Sequence, residues 1–271
     1  MGDNLLSKVL TITILLYWPI SFLLANNPKD FITSFFPNVV FIICISLYQK
    51  GVRWWTAPLL TLGLVNPVLM IFPLFVAAFC FWLKPTKVNL AILFLAVMIS
   101  LTQLNTFYQH SVFKYDRDTY QRKIEQGYLY PNVFLARVFQ NKLTIYLERI
   151  SFNFFALLDP NNYFFSFHPR EIVGDNQNLD KFPFWAIAFL LIGLFKMRRL
   201  KRRDWFLLII LTALIINLSI LAKFDRHDLV LYLPLSLVII SGLRKLSSSW
   251  VQIVLLLITA VEYLRLIFRY A

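Results

Sequence analysis

Two short polar passages in an otherwise oily chain carry the side chains that could do chemistry. The first, LDPNNYFFSFHPRE at 158–171, places Asp159, Tyr163, His168, Arg170 and Glu171 within 13 residues. Aromatic rings beside charged hydrogen-bonding groups suit a sugar or a lipid phosphate, because a guanidinium offers forked donors to phosphate oxygens. The same residues also have a structural reading. Tyr163, Phe164, Phe165 and Phe167 would then be anchors at a membrane–water boundary, with Asp159-Pro160 starting a turn. The second passage, KFDRHD at 223–228, crowds five charged or titratable groups into one short connection. Arg226 and His227 could contact an anionic lipid head with Asp225 or Asp228 orienting them, or the Asp and Arg side chains could simply pair. Both passages are expected on one side of a membrane, so a shared site requires them to converge.

Other chemistries lack their patterns. His110, His168 and His227 are far apart and show no ligand-like spacing, which argues against a metal centre. Cys44 and Cys80 sit inside apolar runs and read as small buried hydrophobes, with no disulfide or zinc framework. There is no phosphate-binding loop, dinucleotide fingerprint or serine-nucleophile elbow. Nothing in the sequence calls for a cofactor. His110 reads as a wet loop residue, and Glu262 and Arg265 as a pair one helical turn apart near the outer end of the last helix.

The elements that must position these residues are membrane helices. Of 271 residues, 59% are hydrophobic and 15% charged, and the mean hydropathy is +0.65; a water-soluble domain needs more polar surface. A span needs about 20 mostly apolar residues to cross about 30 Å of hydrocarbon. Candidates are 5–24, 35–49, 88–105, 183–195, 205–222, 228–243 and 249–268, with 5–24 read as a retained first span. The stretch 54–83 is too long for one span and too short for two. Gly63 and Asn66-Pro67 near its middle predict a break, because proline lacks a donor and disfavours helix at the preceding residue. The expected result is a hairpin of half-length helices entering and leaving on one side; a single kinked, tilted helix is the alternative. With the hairpin counted twice, the fold class is an all-α polytopic membrane protein of about nine hydrophobic segments.

Lysine and arginine set the orientation, since loops rich in them stay cytoplasmic. KMRRLKRR at 196–203, the pair at 244–245, KGVR at 50–53, KPTK at 84–87 and Lys8 fall on one side only if 54–83 makes two passes. The N-terminus is then cytoplasmic and the loop 106–182 external. Eleven of the fourteen acids fall in external segments. Basic clusters at the cytoplasmic face suit anionic headgroups, so membrane lipids account for much of the net charge of +13 and nucleic acid is unnecessary. Within the external loop, Leu135, Phe139, Leu143, Tyr146, Leu147 and Ile150 recur at helical spacing, predicting an amphipathic helix that lies in the interface plane or on the protein's own surface. One membrane domain is expected, with N-terminal spans at 1–105, the external loop at 106–182 and C-terminal spans at 183–271.

The passage LDPNNYFFSFHPRE, followed by NLDKFPFWAIAFLLIGLFKMRRLKRRDW, resembles the last large external loop and following span of C-type membrane glycosyltransferases. This group includes the dolichyl-phosphate-mannose protein mannosyltransferases and the bacterial aminoarabinose transferase. The break at 54–83 and FDRHDLVLYLPLSLVIISGL at 224–243 are similar to that group's later half, so the resemblance covers 35–271. It implies a polyprenyl-phosphate-linked sugar as substrate, transferred outside the cytoplasmic membrane, with an acidic residue as general base. The family carries its catalytic acid in a long first external loop. Here that segment, 25–35, is short and holds one acid, Asp30, so the chain resembles the family's later portion without its opening spans and catalytic loop: a gene fragment, one half of a split enzyme whose opening spans a partner chain would supply, or a diverged non-catalytic relative. Asp30, Asp159 and Glu171 are the candidate bases. Tyr163, His168, Arg170, Asp225, Arg226 and His227 are the candidate phosphate and substrate contacts. The competing class is a non-catalytic accessory membrane protein or a lipid or solute carrier. A carrier should place polar groups at mid-membrane, and apart from Asn66 and Asn217 the spans offer little.

Overall fold

A backbone surrounded by hydrocarbon must satisfy its own polar groups, so long apolar runs without breakers become helices. The computed structural model describes residues 5–25, 28–114, 117–139, 141–165, 182–197, 205–222, 227–246 and 248–270. Among them the chain forms thirteen α-helices: α1 (Leu5–Ala25), α2 (Pro28–Gln49), α3 (Leu60–Val65), α4 (Ile71–Leu83), α5 (Lys87–His110), α6 (Arg117–Gly127), α7 (Val133–Phe139), α8 (Lys142–Leu158), α9 (Asn161–Phe164), α10 (Ala186–Met197), α11 (Trp205–Ser219), α12 (Tyr232–Leu243) and α13 (Ser249–Tyr270). No strand occurs among the described residues, only an isolated antiparallel bridge between Ser111 and Leu221.

Three helical stretches are long and apolar enough to cross a membrane: Leu5–Leu24, Lys87–His110 and Ser249–Phe268. Shorter apolar helices cover Phe35–Gln49, Pro67–Leu83, Ala186–Lys196, Phe206–Ser219 and Leu229–Leu243. Large apolar side chains point outward along the long helices, among them Phe94 and Leu101 on α5 and Leu257, Val261 and Phe268 on α13. In water such faces would be an aggregation liability; in lipid they are the normal surface.

The chain divides into two compact units, one of Met1–Phe41, Leu158–Thr212 and Arg226–Ala271, the other of Ile42–Leu157 and Ala213–Asp225. In the first, α10 and α12 pack in parallel. Phe182, just before α10, stacks on Tyr232 at the start of α12, and some ten residues on Gly193 and Gly242 face each other. A Cβ at Gly193 would lie 2.2 Å from the Val238 carbonyl oxygen, and one at Gly242 2.1 Å from that of Phe189. Only glycine permits that approach, the small-residue contact typical of membrane helices.

In the second unit the helix breaks at Asn66 (φ −128°, ψ 92°), immediately before Pro67. In an unbroken helix residues 63 and 70 would be about 10 Å apart along the axis. Here a Cβ on Gly63 would sit 3.7 Å from Met70 Cα and 3.5 Å from Pro73 Cγ, so the chain turns back on itself. The freed backbone groups find side-chain partners. Asn66 Oδ1 accepts from the Val68 N–H at 3.2 Å, and the fully buried Asn217 of α11 accepts from the Phe72 N–H at 3.0 Å while donating to the Val68 carbonyl at 3.0 Å. Asn89, one turn into α5, donates to the Lys84 carbonyl at 2.8 Å, closing the turn between α4 and α5.

Two sequence expectations change. The single amphipathic helix expected between Asn132 and Ile150 is interrupted, with α7 ending at Phe139 and α8 starting at Lys142. The cause is a reciprocal cap: Asn141 Oδ1 accepts from the Thr144 N–H at 2.9 Å, and Thr144 Oγ1 from the Asn141 N–H at 3.1 Å. Leu143 and Leu147 of that stripe remain exposed. The segment expected as a short external loop at 25–35 is helical from Pro28 onward, where the missing proline donor costs nothing. Asp30 is therefore in the first turn of α2, with its side chain outside the described residues.

Candidate functional site

The described part of the first polar passage is a turn followed by a single helical turn. Asp159 Oδ1 accepts from the Asn161 N–H at 2.9 Å and Oδ2 from Asn161 Nδ2 at 3.3 Å. Pro160 sits at φ −56°, and its carbonyl accepts from the Phe164 N–H at 3.0 Å. Half of the lone-pair sites on the Asp159 carboxylate are thus directed at its own turn. Tyr163 and Phe164 face inward, 8% and 7% exposed, rather than forming an open aromatic platform. The Tyr163 carbonyl accepts from the Phe182 N–H at 2.8 Å, and Phe165 meets Phe184 with ring centroids 5.5 Å apart. Residues on either side of 166–181 are therefore held together. His168, Arg170 and Glu171 fall inside that stretch and lie outside the described residues.

Of the second passage, Asp225 and Arg226 lie outside the described residues, and His227, half-buried, opens a 3₁₀ turn over His227–Leu231 that leads into α12. Leu229, Val230 and Leu231 are buried. Tyr232 follows, and it connects the two passages. Its ring stacks on Phe182 at 5.1 Å and 14°, and Phe182 in turn lies 5.8 Å from Phe164. Trp18 of α1 packs on Tyr232 at 4.3 Å, and Phe35 of α2 lies 6.2 Å from Tyr232 and 5.4 Å from Phe22. Described residues that flank both passages thus share one aromatic column, each ring pair contributing on the order of 0.5–1.5 kcal/mol beyond its area.

The polar end of Tyr232 is spent on the scaffold. Pro19 lies inside α1 and has no N–H, so the Leu15 carbonyl loses its helical partner. The Tyr232 hydroxyl reaches in, 2.8 Å from both the Ile14 and Leu15 carbonyls, and accepts from the Trp18 N–H at 3.2 Å. Asn38 Oδ1 accepts from the Leu233 N–H at 3.4 Å, and the Tyr263 hydroxyl of α13 donates to the Thr13 carbonyl at 2.7 Å. The Tyr232 hydroxyl at its centre is therefore committed to backbone, which suits the column to holding loops rather than to transferring protons.

Trp18, Phe35, Phe182 and Tyr232 were not legible as site residues. The available signal was Pro19 in mid-span, which demands a donor from elsewhere. Elsewhere, His110 ends α5 with Nδ1 2.8 Å from the Thr106 carbonyl, and Arg265 meets Glu262 at 3.4 Å. Among the described residues no three His, Cys, Asp or Glu side chains cluster as a metal site would require. Comparison with protein-family models, with curated proteins and with solved structures gives no match.

Proposed function

We propose that this chain is a membrane glycosyltransferase-like protein that handles a polyprenyl-phosphate-linked sugar at the external face of the membrane. The observation that carries the reading is the Phe164–Phe182–Tyr232 column, in which the described residues on either side of 166–181 meet a residue that closely follows 223–228. Arg170, Arg226 and His227 hold phosphate, Tyr163, His168 and Asp225 complete the substrate contacts, and Glu171 or Asp30 is the candidate base. Asp159, engaged by Asn161, is the weakest of the three carboxylates for that role. The arrangement in the membrane is the nine-segment one, with residues 54–83 entering and leaving on the cytoplasmic side. Two observations support that topology. The parallel packing of α10 and α12 is what two outside-to-inside spans require. The ends of α5 and α11 are joined by backbone hydrogen bonds, Val112 N–H to the Ile220 carbonyl at 2.8 Å and Ala222 N–H to the His110 carbonyl at 2.9 Å, as expected of two chain ends that emerge together.

The second reading is a non-catalytic accessory subunit that binds the same lipid. The commitment of Asp159 to its own turn favours it. Both readings predict that protein in lipid nanodiscs binds a radiolabelled polyprenyl-phosphate sugar, and that Arg170→Ala and Arg226→Ala each weaken binding about 10–100-fold, the value of one charge-assisted contact. Transfer to an acceptor separates them. Absence of binding by the wild type removes both.

A further inference from the structure

Within the second unit, α8 is laid across the ends of two apolar helices. The segments leaving α5 and α11 form a short antiparallel ladder: Val112 N–H bonds the Ile220 carbonyl at 2.8 Å, Ala222 N–H bonds the His110 carbonyl at 2.9 Å, and Ser111 pairs with Leu221. In that register Phe113 stands opposite Ser219. Helix α8 touches both. Its Tyr146 ring meets Phe113 at 5.5 Å, and its buried Asn153 donates to the Ser219 and Leu221 carbonyls at 2.9 and 2.7 Å. Tyr146 and Asn153 are two turns apart, about 10 Å along the helix, while their partners face each other across the ladder. The axis of α8 therefore runs from the end of α5 toward the end of α11, instead of standing upright on either.

The rest of α8 is amphipathic. Leu143, Leu147 and Phe154, at i, i+4 and i+11, share one face and are 65%, 53% and 38% exposed. Thr144, Glu148 and Ser151 make a polar face beside them. Beyond Ser151 every exposed side chain of the helix is apolar: Phe152, Phe154, Phe155 and Leu158. The exposed apolar surface of the membrane-length α5 runs through Leu101, Leu104 and Tyr108 to Phe113, where it meets α8.

We propose that α8 is a lipid-binding helix, seated in the acyl–headgroup boundary of the leaflet at which α5 and α11 end. Leu143, Leu147 and Phe154 enter the lipid, Glu148 stays in water, and the aromatic C-terminal half lies deeper than the start at Lys142. The ends of membrane helices mark the edge of the hydrocarbon. A helix laid across them is therefore at the depth where an in-plane helix buries its apolar face by about 5–10 Å. The bilayer is favoured over a second copy or a partner protein because the stripe adjoins the apolar surface of α5, which lipid already covers in a chain that spans a membrane. The inference goes beyond the lipid-phosphate reading and stands whether or not a polyprenyl phosphate binds.

The test places the photoreactive residue p-benzoyl-phenylalanine at Leu147, Phe154 or Glu148 of the full-length chain, in nanodiscs of phosphatidylcholine and phosphatidylglycerol. Mass spectrometry after irradiation reads what has become joined to each position. Phospholipid mass added at Leu147 and Phe154, and not at Glu148, is the expected result. A covalent dimer through Leu147 or Phe154 shows a second copy on the stripe and overturns the proposal, as does the absence of any lipid adduct at both. Lipid added at Glu148 as readily as at Leu147 overturns the in-plane seating. Where the Leu147 variant does not fold, Leu143 on the same face takes its place, with the same adduct expected.

Discussion

Replacing Tyr232 by phenylalanine removes one oxygen and keeps the ring, so the aromatic column survives while the seal on the α1 defect is lost. The Leu15 carbonyl, deprived of a helical donor by Pro19, is then unpaired in an apolar surround, and the Trp18 N–H loses its 3.2 Å acceptor. A buried backbone group left unsatisfied costs about 1–3 kcal/mol. Side-chain hydrogen bonds between membrane helices average about 0.6 kcal/mol and reach about 1.7, because the dissociated state also finds partners. The Trp18 N–H can relax toward Ile14, whereas the Leu15 carbonyl has no neighbour in helical register, which places Tyr232→Phe at about 1–3 kcal/mol. The origin is separable by a second substitution. Pro19→Ala restores the N–H that Leu15 needs, so Tyr232→Phe should cost about 1 kcal/mol less in that background. Reversible unfolding in mixed detergent micelles, run on wild type, both single variants and the double, measures this coupling. Equal costs of Tyr232→Phe in the two backgrounds, within about 0.5 kcal/mol, would refute the assignment of the hydroxyl to the proline defect.

Two further substitutions probe the elements beneath the site. Gly193→Ala and Gly242→Ala each put a methyl group within 2.2 Å or less of a backbone carbonyl oxygen, so α10 and α12 must separate; we expect more than about 3 kcal/mol lost and poor recovery of monodisperse protein, while Gly127→Ala, with open space around its added carbon, should change stability by no more than about 0.5 kcal/mol. Asn217→Leu removes the donor and acceptor that satisfy Val68 and Phe72 at the helix break, and we expect a loss of about 1–3 kcal/mol with faster hydrogen exchange at the Phe72 amide than at Ile92 in mid-α5.

What could be read in advance depended on how local its cause is. The break at Asn66-Pro67 is a property of two adjacent residues, and the structure places it there. The helical spans follow from composition summed over twenty positions. The interruption between α7 and α8 was equally local, an Asn-x-x-Thr ahead of an apolar run, but the hydrophobic spacing runs straight across it and concealed the cap. The Tyr232 seal was not legible by any local rule, since its partners are over two hundred positions away. Pro19 announces that a donor is missing without saying where one will come from. The division into two units that interleave along the chain likewise leaves no composition boundary to read.

For the candidate site, the charged residues were visible, and the packing of the described residues that flank them was not. Residue type makes Arg170 and Arg226 the proposed phosphate contacts, yet only packing could bring their segments together. The packing in question lies deeper in the bundle. Gly193 and Gly242 let α10 and α12 approach to backbone contact, and that contact fixes the register of two parallel helices. Parallel helices in fixed register bring their first residues level, so Phe182 and Tyr232 stack, and the polar passages that precede those two residues join the fold at adjacent points. On the proposed function, a bulkier residue at either glycine would therefore weaken lipid binding without altering any of the proposed lipid contacts. A variant that retained its fold but lost binding in proportion to the separation of Phe182 from Tyr232 would tie the site to this register rather than to the charges alone.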